Sequence, residues 1–548
     1  MKKIISMKIG MAMAILLGLC SGVFAQSQAD GINALKKENY QTAERIFTAL
    51  KTNAAEDYYY LGQAYCFQNK WDSAALVFQQ GIAAYPKAYC NYIGLGKTYL
   101  NQNRTADAKT QFDLAKTKTS AKNIELPLML AEAMTNVEYP QADEALTILD
   151  NARAIDDKSP AIFMREGDVY ARTNSLGKAY SSYINALNYQ PMNAEAKTKI
   201  GIIWNKGTQY QLSIPALNDA LKIDSTFAPA YRELAEATYS KDPSQIKVAK
   251  GLYERYLQLA DHNDYTNYRY AQFLYLSKDY QHAAELLTDL MKRDPNPIMR
   301  RLAGYAYAEL HQYPMAEMQL DDFFQHVQPE KIISLDYKYA GTVAKFMGKD
   351  HKMIYNYEQV LKLDTTQCDL LDTIAKSFDN NKVYDTAALY YQQKLNCYKR
   401  NGMETKLSDY KIIAIDWYLD SSYVKADSAF SSIIRLNDKF GALADLYLWR
   451  ARSENALEKD TIVHGYALPM YLLTLEKGAA DTVKYKKVIA EANVSIGEIY
   501  RKQGKYAECI PYYQKYAAGL DPESKTAKAI YDMIDQINKY LKQKAGGK

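Results

Sequence analysis

Histidine, cysteine and paired acidic side chains are the residues of this sequence that could support catalysis or metal binding. The histidines are His262, His282, His311, His326, His351 and His464. No two of them form a His-Glu-x-x-His motif, and the sequence has no Gly-x-x-x-x-Gly-Lys-Ser/Thr loop and no Gly-x-Ser-x-Gly motif. Adjacent carboxylates such as Asp321 and Asp322 would point to different sides of a helix. We therefore predict that the protein is not an enzyme and that it has no cofactor and no metal site.

The six cysteines do not indicate a zinc site either. Cys20 lies near the N-terminus, and the others are Cys66, Cys90, Cys368, Cys397 and Cys509. Their spacing matches no zinc motif, and the five cysteines other than Cys20 are an odd number, which leaves at least one of them unpaired or intermolecular. Because free cysteine is a common buried packing residue, we interpret each of the five as free, although an exported protein could form disulfides.

The N-terminal segment has the pattern of a secretory signal peptide. Three lysines, at 2, 3 and 8, precede an apolar run over 9–19, and Val23 and Ala25 stand at the positions that a signal peptidase reads. This predicts a signal peptide over 1–25 and a mature start at Gln26, with an exported protein, periplasmic or associated with the outer membrane. A retained membrane anchor and lipidation of Cys20 are the alternatives. No later segment is apolar enough to span a membrane.

Charge and composition favour a soluble fold that does not bind nucleic acid. Charged residues make up 24% and hydrophobic residues 48% of the chain, which is typical of soluble domains. The formal net charge is +5, and removal of 1–25 with its three lysines and no acidic residue leaves +2. A nucleic-acid-binding protein would need a concentrated basic face, which is absent from this evenly mixed sequence. The 49 tyrosines are the unusual feature.

Four residue types recur at a fixed period. Gly62 and Gly96 are 34 residues apart, as are Gly167 and Gly201. Aromatic residues follow these glycines after three positions, small residues after twelve, and large apolar residues after sixteen. The three sets are Tyr65, Tyr99, Tyr170 and Trp204; Ala74, Ala108, Ala179 and Ser213; and Phe78, Phe112, Tyr183 and Leu217. Pro86 and Pro191 close two of the units.

This pattern resembles the tetratricopeptide repeat, and degenerate copies continue along nearly the whole chain. The resemblance implies an all-α superhelical solenoid of about 14 helical hairpins over 26–522. In each hairpin the small residues allow the paired helices to approach closely, and the aromatic side chains fill the space between them. A single hairpin cannot bury its apolar face, so stacked neighbours supply a continuous core.

The region after the repeats, 523–548, predicts a capping helix and a basic tail. Its apolar residues lie on one helical face: Ile530, Met533, Ile534, Ile537 and Leu541. Such a stripe can cover the exposed end of a repeat array. An amphipathic helix that binds a partner is the alternative.

The resemblance also implies a concave groove lined by the first helix of each hairpin. The groove residues that we expect to contact a partner are Tyr59, Tyr239, Tyr268, Tyr275, Arg301, Tyr305 and Tyr418. Tyrosine supplies a rigid contact area with a polar tip, which suits an extended peptide and also suits a sugar. We therefore predict a scaffold that binds a protein or peptide partner of the cell envelope, with a glycan-binding or polysaccharide-export accessory protein as the alternative. A groove tyrosine could instead serve only helix packing.

Overall fold

The computed structural model describes residues 27–51, 53–120, 122–138, 140–436, 443–458 and 463–546. Within these ranges the chain forms 29 α-helices and two short 3-10 helices, with no strand. This confirms the all-α hairpin array that the repeat pattern predicts. The predicted signal peptide over 1–25 and Cys20 lie outside the described residues. None of the helices described is long and apolar enough to cross a membrane.

The chain divides into two compact units, and the division falls inside α17, after Ala306. The helices of the first unit are α1 (Gln28–Lys36), α2 (Tyr40–Leu50), α3 (Ala55–Phe67), α4 (Trp71–Ala84), α5 (Cys90–Asn101), α6 (Thr105–Lys116), α7 (Glu125–Thr135), α8 (Ala142–Arg153), α9 (Pro160–Arg172), α10 (Leu176–Tyr189), α11 (Ala194–Lys206), α12 (Tyr210–Ile223), α13 (Ala228–Lys241), α14 (Ile246–Leu259), α15 (Asp264–Leu276), α16 (Tyr280–Met291) and the start of α17 (Pro297–Glu309). The helices of the second unit are α18 (Tyr313–His326), α19 (Ser334–Phe346), α20 (Asp350–Leu363), α21 (Asp369–Asn380), α22 (Tyr384–Arg400), α23 (Leu407–Leu419), α24 (Tyr423–Leu436), α25 (Ala444–Leu457), α26 (Leu468–Gly478), α27 (Lys486–Lys502), α28 (Tyr506–Ala518) and α29 (Lys525–Gly546). The 3-10 helices are Pro243–Gln245 and Pro329–Lys331.

Consecutive helices pair into hairpins, and most of the described turns between them contain a left-handed residue. In the turn between α9 and α10, Asn174 has a φ of 59°. The amide of Ser175 then donates to the carbonyl of Tyr170 over 2.8 Å, which closes the end of α9. Asparagine tolerates this backbone region better than other residues with a side chain, and Asn69 and Asn103 occupy it in two other hairpins.

The periodic glycines lie where a helix must approach an aromatic ring. A Cβ atom placed on Gly167 would lie 2.3 Å from the ring of Tyr183, and one placed on Gly341 would lie 2.5 Å from the ring of Tyr357. Such contacts are far inside van der Waals distance, so any larger residue would displace the ring. The structure therefore confirms that the small residue of the first helix permits close pairing with the second.

Several tyrosines take the place of a core phenylalanine, and their hydroxyl groups have hydrogen-bond partners. Tyr183 and Tyr513 are buried, and their hydroxyl groups donate to Asp168 over 2.9 Å and to Glu498 over 2.8 Å. Tyr253 is also buried and donates to the carbonyl of Thr266. A buried hydroxyl group that has a hydrogen-bond partner avoids the cost of desolvation. In each of these cases the acceptor lies on the first helix of the same or the next hairpin.

The last helix, α29, packs its apolar stripe on the final hairpin. Ile530, Ile534 and Ile537 are buried against Tyr513 and Ala517 of α28. This helix continues to Gly546 and therefore includes most of the segment that we described as a basic tail.

Two cysteines that we interpreted as free are bonded to each other. Cys368 and Cys397 form a disulfide with a Cα–Cα distance of 5.7 Å. Cys368 immediately precedes α21 and Cys397 lies near the end of α22, so the bond joins the open end of this hairpin. The interpretation was wrong because spacing within a hairpin carries no pairing signal by itself. The other described cysteines, Cys66, Cys90 and Cys509, are free and buried, as expected.

Removing this disulfide is expected to destabilise its hairpin. Cys368→Ser with Cys397→Ser should lower the local free energy of unfolding by about 2–3 kcal/mol, because the bond restricts the unfolded chain. Hydrogen exchange of peptides from α21 and α22, measured by mass spectrometry, checks the value. Cys509→Ser is the control for replacing a buried sulfur. Equal exchange in the double variant and the native protein would contradict the stabilising role.

Candidate functional site

First helices of successive hairpins lie side by side in much of the first unit. In the first unit, α3 contacts α5, α5 contacts α7, and α7 contacts α9. We call the exposed side of these helices the first-helix surface. It is the surface on which the sequence places the groove residues.

Two of the predicted contact residues are mostly buried by helix packing. Tyr59 and Tyr305 are each only 5% exposed. The ring of Tyr59 lies 5.2 Å from that of Tyr60 and 6.2 Å from that of Phe78. Burial and the nearby negative charge of Glu132 raise the pKa of Tyr59 well above its usual value. These two side chains offer little area to a partner in this conformation.

Four other predicted residues lie on the first helices α13, α15 and α17. Tyr239, Tyr268, Tyr275 and Arg301 are all half-buried. The ring of Tyr275 lies 6.2 Å from that of Tyr305, and the ring of Tyr239 lies at the same distance from that of Phe273. Burial raises the pKa of Tyr268, while a hydrogen bond with Gln272 and the charge of Arg301 oppose the shift. We call Tyr239, Tyr268, Tyr275 and Arg301 the tyrosine–arginine cluster.

The predicted residue Tyr418 belongs to a separate aromatic group in the second unit. Its ring packs edge-on against Trp449 at 5.2 Å. The Arg452 guanidinium lies 4.3 Å from the centre of the Trp449 ring and donates to both carboxylate oxygens of Glu491, at 2.6 and 2.5 Å. Sequence reasoning missed Trp449, Arg452 and Glu491.

A ladder of ion pairs, which sequence reasoning also missed, runs across the first-helix surface of the first unit. Each pair joins a base on one first helix to an acid on the preceding first helix. The pairs are Arg165 with Glu132, Lys199 with Asp168, and Arg269 with Glu236. The two members of a pair are separated by 33, 31 and 33 residues respectively. The available signal in the sequence for these ion pairs was an acidic residue followed by a basic residue after nearly one repeat length.

The ladder keeps its charged forms despite substantial burial. Burial opposes ionisation of Asp168, but Lys199 and Arg165 hold the pKa of its carboxyl group below the usual value. Burial also opposes the charge of Lys199, and Asp168 and Glu195 raise the pKa of that ammonium group. The hydroxyl group of Tyr183 donates to Asp168 as well. The arrangement therefore fixes the relative positions of neighbouring hairpins through charge-assisted hydrogen bonds.

We expect the ladder pairs to be energetically coupled. A double-mutant cycle with Glu132→Gln and Arg165→Met should give a coupling energy of about 1–2 kcal/mol, because both side chains are largely shielded from solvent. The exposed pair Lys109 and Asp113, 3.3 Å apart, is the matched control and should give about 0.3–0.5 kcal/mol. Thermal unfolding at two salt concentrations checks both values. Equal coupling in the two cycles would contradict a special role for the ladder.

No group of three or more histidine, cysteine, aspartate or glutamate side chains is arranged to hold a metal ion among the residues that the structure describes. The candidate site described above is a surface of tyrosine, amide and paired charged groups. Such groups can hydrogen-bond to and stack against an extended ligand.

Two family models match parts of the chain. A family model described as tetratricopeptide repeat matches residues 490–522, which include most of the hairpin α27–α28. A model described as anaphase-promoting complex, cyclosome, subunit 3 matches residues 242–323. No curated protein matches the sequence.

Three solved structures are similar to parts of the chain. The C-terminal part of a TPR repeat-containing protein from Cytophaga hutchinsonii is 28% identical, with coverage of 48% of this chain and 98% of that chain and a TM-score of 0.33. PilF of Pseudomonas aeruginosa is 12% identical, with coverage of 45% and 94% and a TM-score of 0.27. PilW, a type IV pilus biogenesis factor, is 21% identical, with coverage of 37% and 93% and a TM-score of 0.32.

Proposed function

Because this chain is a tetratricopeptide-repeat protein, we propose that it is a non-enzymatic scaffold of the bacterial cell envelope. It binds a protein partner or an extended peptide along the first-helix surface. The observation that supports the proposal is the tyrosine–arginine cluster, in which four of the seven predicted contact residues lie half-buried on three successive first helices.

The chemistry of this cluster suits a polypeptide. Tyr268 and Tyr275 present flat rings with polar tips, which bury area at a low cost in side-chain entropy. A guanidinium such as that of Arg301 can bind a carboxylate or a backbone carbonyl group. The ladder beside the cluster keeps the helices at fixed spacing, so the contact groups are positioned before a partner arrives.

Two observations support an envelope location. The sequence of 1–25 has the pattern of a cleaved signal peptide. The disulfide between Cys368 and Cys397 is of a kind that forms and persists in oxidising compartments. These observations support our proposal that the mature scaffold lies in the periplasm or at the outer membrane.

A crosslinking pull-down of the tagged mature protein from its native envelope tests the scaffold. We expect a discrete, stoichiometric protein partner, and its recovery should fall at least fivefold in the variant with Tyr268→Ala and Tyr275→Ala, because loss of two anchor rings costs about 1 kcal/mol or more each. Tyr265→Ala is the matched control, since Tyr265 lies on the same helix and is 76% exposed. Failure of the native protein to capture any envelope protein would overturn the proposal.

The alternative function is binding of an envelope glycan as an accessory protein of polysaccharide export. Half-buried rings such as those of Tyr268 and Tyr275 can stack on sugars as well as on peptides. The same pull-down is therefore assayed for sugar. Recovery of polysaccharide without a stoichiometric protein, lost in the same double variant, would favour this alternative.

A further inference from the structure

The first hairpin of the array contacts hairpins that follow about two hundred residues later. In a linear repeat stack each hairpin contacts only its neighbours. Here Glu38 binds Arg232 and Tyr256, with a sequence separation of 194 and 218 residues. Gln41 likewise contacts Asp261 across 220 residues. The first seven hairpins of the first unit therefore form a turn whose beginning rests on its end, and we call this contact the seam.

Glu38 is the centre of the seam. Its carboxylate accepts from the Tyr256 hydroxyl group over 2.9 Å and is paired with the Arg232 guanidinium. Its backbone carbonyl accepts from the amide of Asp261 over 3.0 Å. Glu38 also has a φ of 61°, in a hairpin turn where Asn69 stands in the next hairpin. A long acidic side chain thus occupies a backbone position that favours asparagine or glycine.

Two further contacts flank Glu38. The Lys37 ammonium lies 2.8 Å from the Asp224 carboxylate and donates to the Thr226 hydroxyl group over 2.5 Å. The Asp261 carboxylate accepts from the backbone amide of Gln41 in the first turn of α2, where amides have no partner within the helix. The hydrogen bonds and ion pairs of the seam named above are therefore polar and charged.

We propose that the seam is a latch that closes the first turn of the array and controls sideways access of a partner to its first-helix surface. This inference rests on the proposed function and deepens it. Polar contacts of this kind can open at a modest cost, whereas the hairpins on either side stay folded through their own cores. An extended chain can then enter through the open seam instead of threading through the turn.

The closure itself is tested on the full mature chain with no partner present. We expect the amides of Gln41 and Asp261 to be protected from hydrogen exchange, and Glu38→Asn to speed their exchange by about tenfold or more, because charged hydrogen bonds are lost. Asparagine suits the positive φ, so the hairpin itself keeps its fold. Lys278→Asn is the matched control, since Lys278 has a φ of 66° in another hairpin turn and is exposed. Unprotected amides in the native protein, or no change in Glu38→Asn, would overturn the latch.

The control of access is tested by locking the seam. Lys37→Cys and Thr226→Cys are joined with a bis-maleimide that contains a reducible linker, and the envelope pull-down is repeated before and after reduction. We expect the locked protein to capture its partner at least fivefold less well, with recovery on cleavage of the linker; native protein given the same reagents is the control. Equal capture by locked and unlocked protein would overturn the control of access. If the native protein captures no partner, the proposed function fails instead. The hydrogen-exchange experiment on Glu38→Asn still tests whether the seam is closed.

Discussion

Phe78→Ala is expected to lower the local free energy of unfolding of α3, α4 and α5 by about 3–5 kcal/mol, since it removes a fully buried ring and leaves a cavity. Phe78 has no exposed surface. A Cβ atom on Gly62 would lie 2.2 Å from its ring, and one on Gly94 would lie 2.3 Å from it. The ring therefore fills the space between the first helix of its own hairpin and that of the next, and its loss affects both contacts. Hydrogen exchange of peptides from these helices measures the effect.

The same geometry predicts that Gly62 and Phe78 are coupled. Gly62→Ala alone should cost about 1–3 kcal/mol, because the new methyl group displaces the ring. In the Phe78→Ala background the methyl group enters the vacated space, and the cost should largely disappear. Phe67→Ala is the control for loss of an aromatic ring, since Phe67 is 40% exposed. An equal cost of Gly62→Ala in both backgrounds would contradict the assigned packing.

The hairpin architecture was predictable because its steric requirement determines residue type at fixed spacing. Gly62 and Phe78, Gly96 and Phe112, and other such pairs are all separated by sixteen residues, and each pair is in contact. A glycine that faces a ring cannot be replaced without displacing that ring, so the pattern is visible in a single sequence.

The ladder and the seam were not predictable in the same way. Glutamate and arginine such as Glu132 and Arg165 are residue types that most often lie solvated on a surface, so neither indicates a partner by its type alone. The contact between Glu38 and Arg232 spans 194 residues, so it leaves no periodic signal. The curvature of the stack decides whether such distant hairpins meet, and curvature sums small rotations from every hairpin.

The buried carboxyl group of Asp416 predicts an unusual dependence of stability on pH. Asp416 lies in α23 and is 2% exposed. Its Oδ2 atom has no hydrogen-bond partner among the described residues, and the same is true of the Tyr391 hydroxyl group. Burial, with a smaller contribution from the negative charge of Asp379, raises the pKa of Asp416 to about 7. The folded protein therefore binds a proton at this site that the unfolded chain has already lost at neutral pH.

The sign of the effect follows from proton linkage. The unfolded carboxyl group titrates near pH 4, so the contribution of the neutral folded form is complete below that pH. It declines as pH rises and is lost above about 7, where the folded carboxylate is charged and buried. The native protein should thus lose about 2–4 kcal/mol of stability at this site between pH 4 and pH 8. Asp416→Asn, which keeps the shape of the neutral acid, should remove this loss.

Thermal unfolding of native protein and of Asp416→Asn across this pH range is the measurement. The two proteins should unfold at similar temperatures near pH 4, and the variant should be the more stable at pH 8. Asp57→Asn is the matched control, because Asp57 is similarly buried but accepts a hydrogen bond from Gln28 over 3.0 Å. That variant loses a charge-assisted acceptor and should gain no stability at pH 8. Parallel pH profiles for native protein and Asp416→Asn would contradict this prediction. They would mean that the ionised carboxylate of Asp416 gains a hydrogen-bond partner or a water molecule through local opening of the second unit.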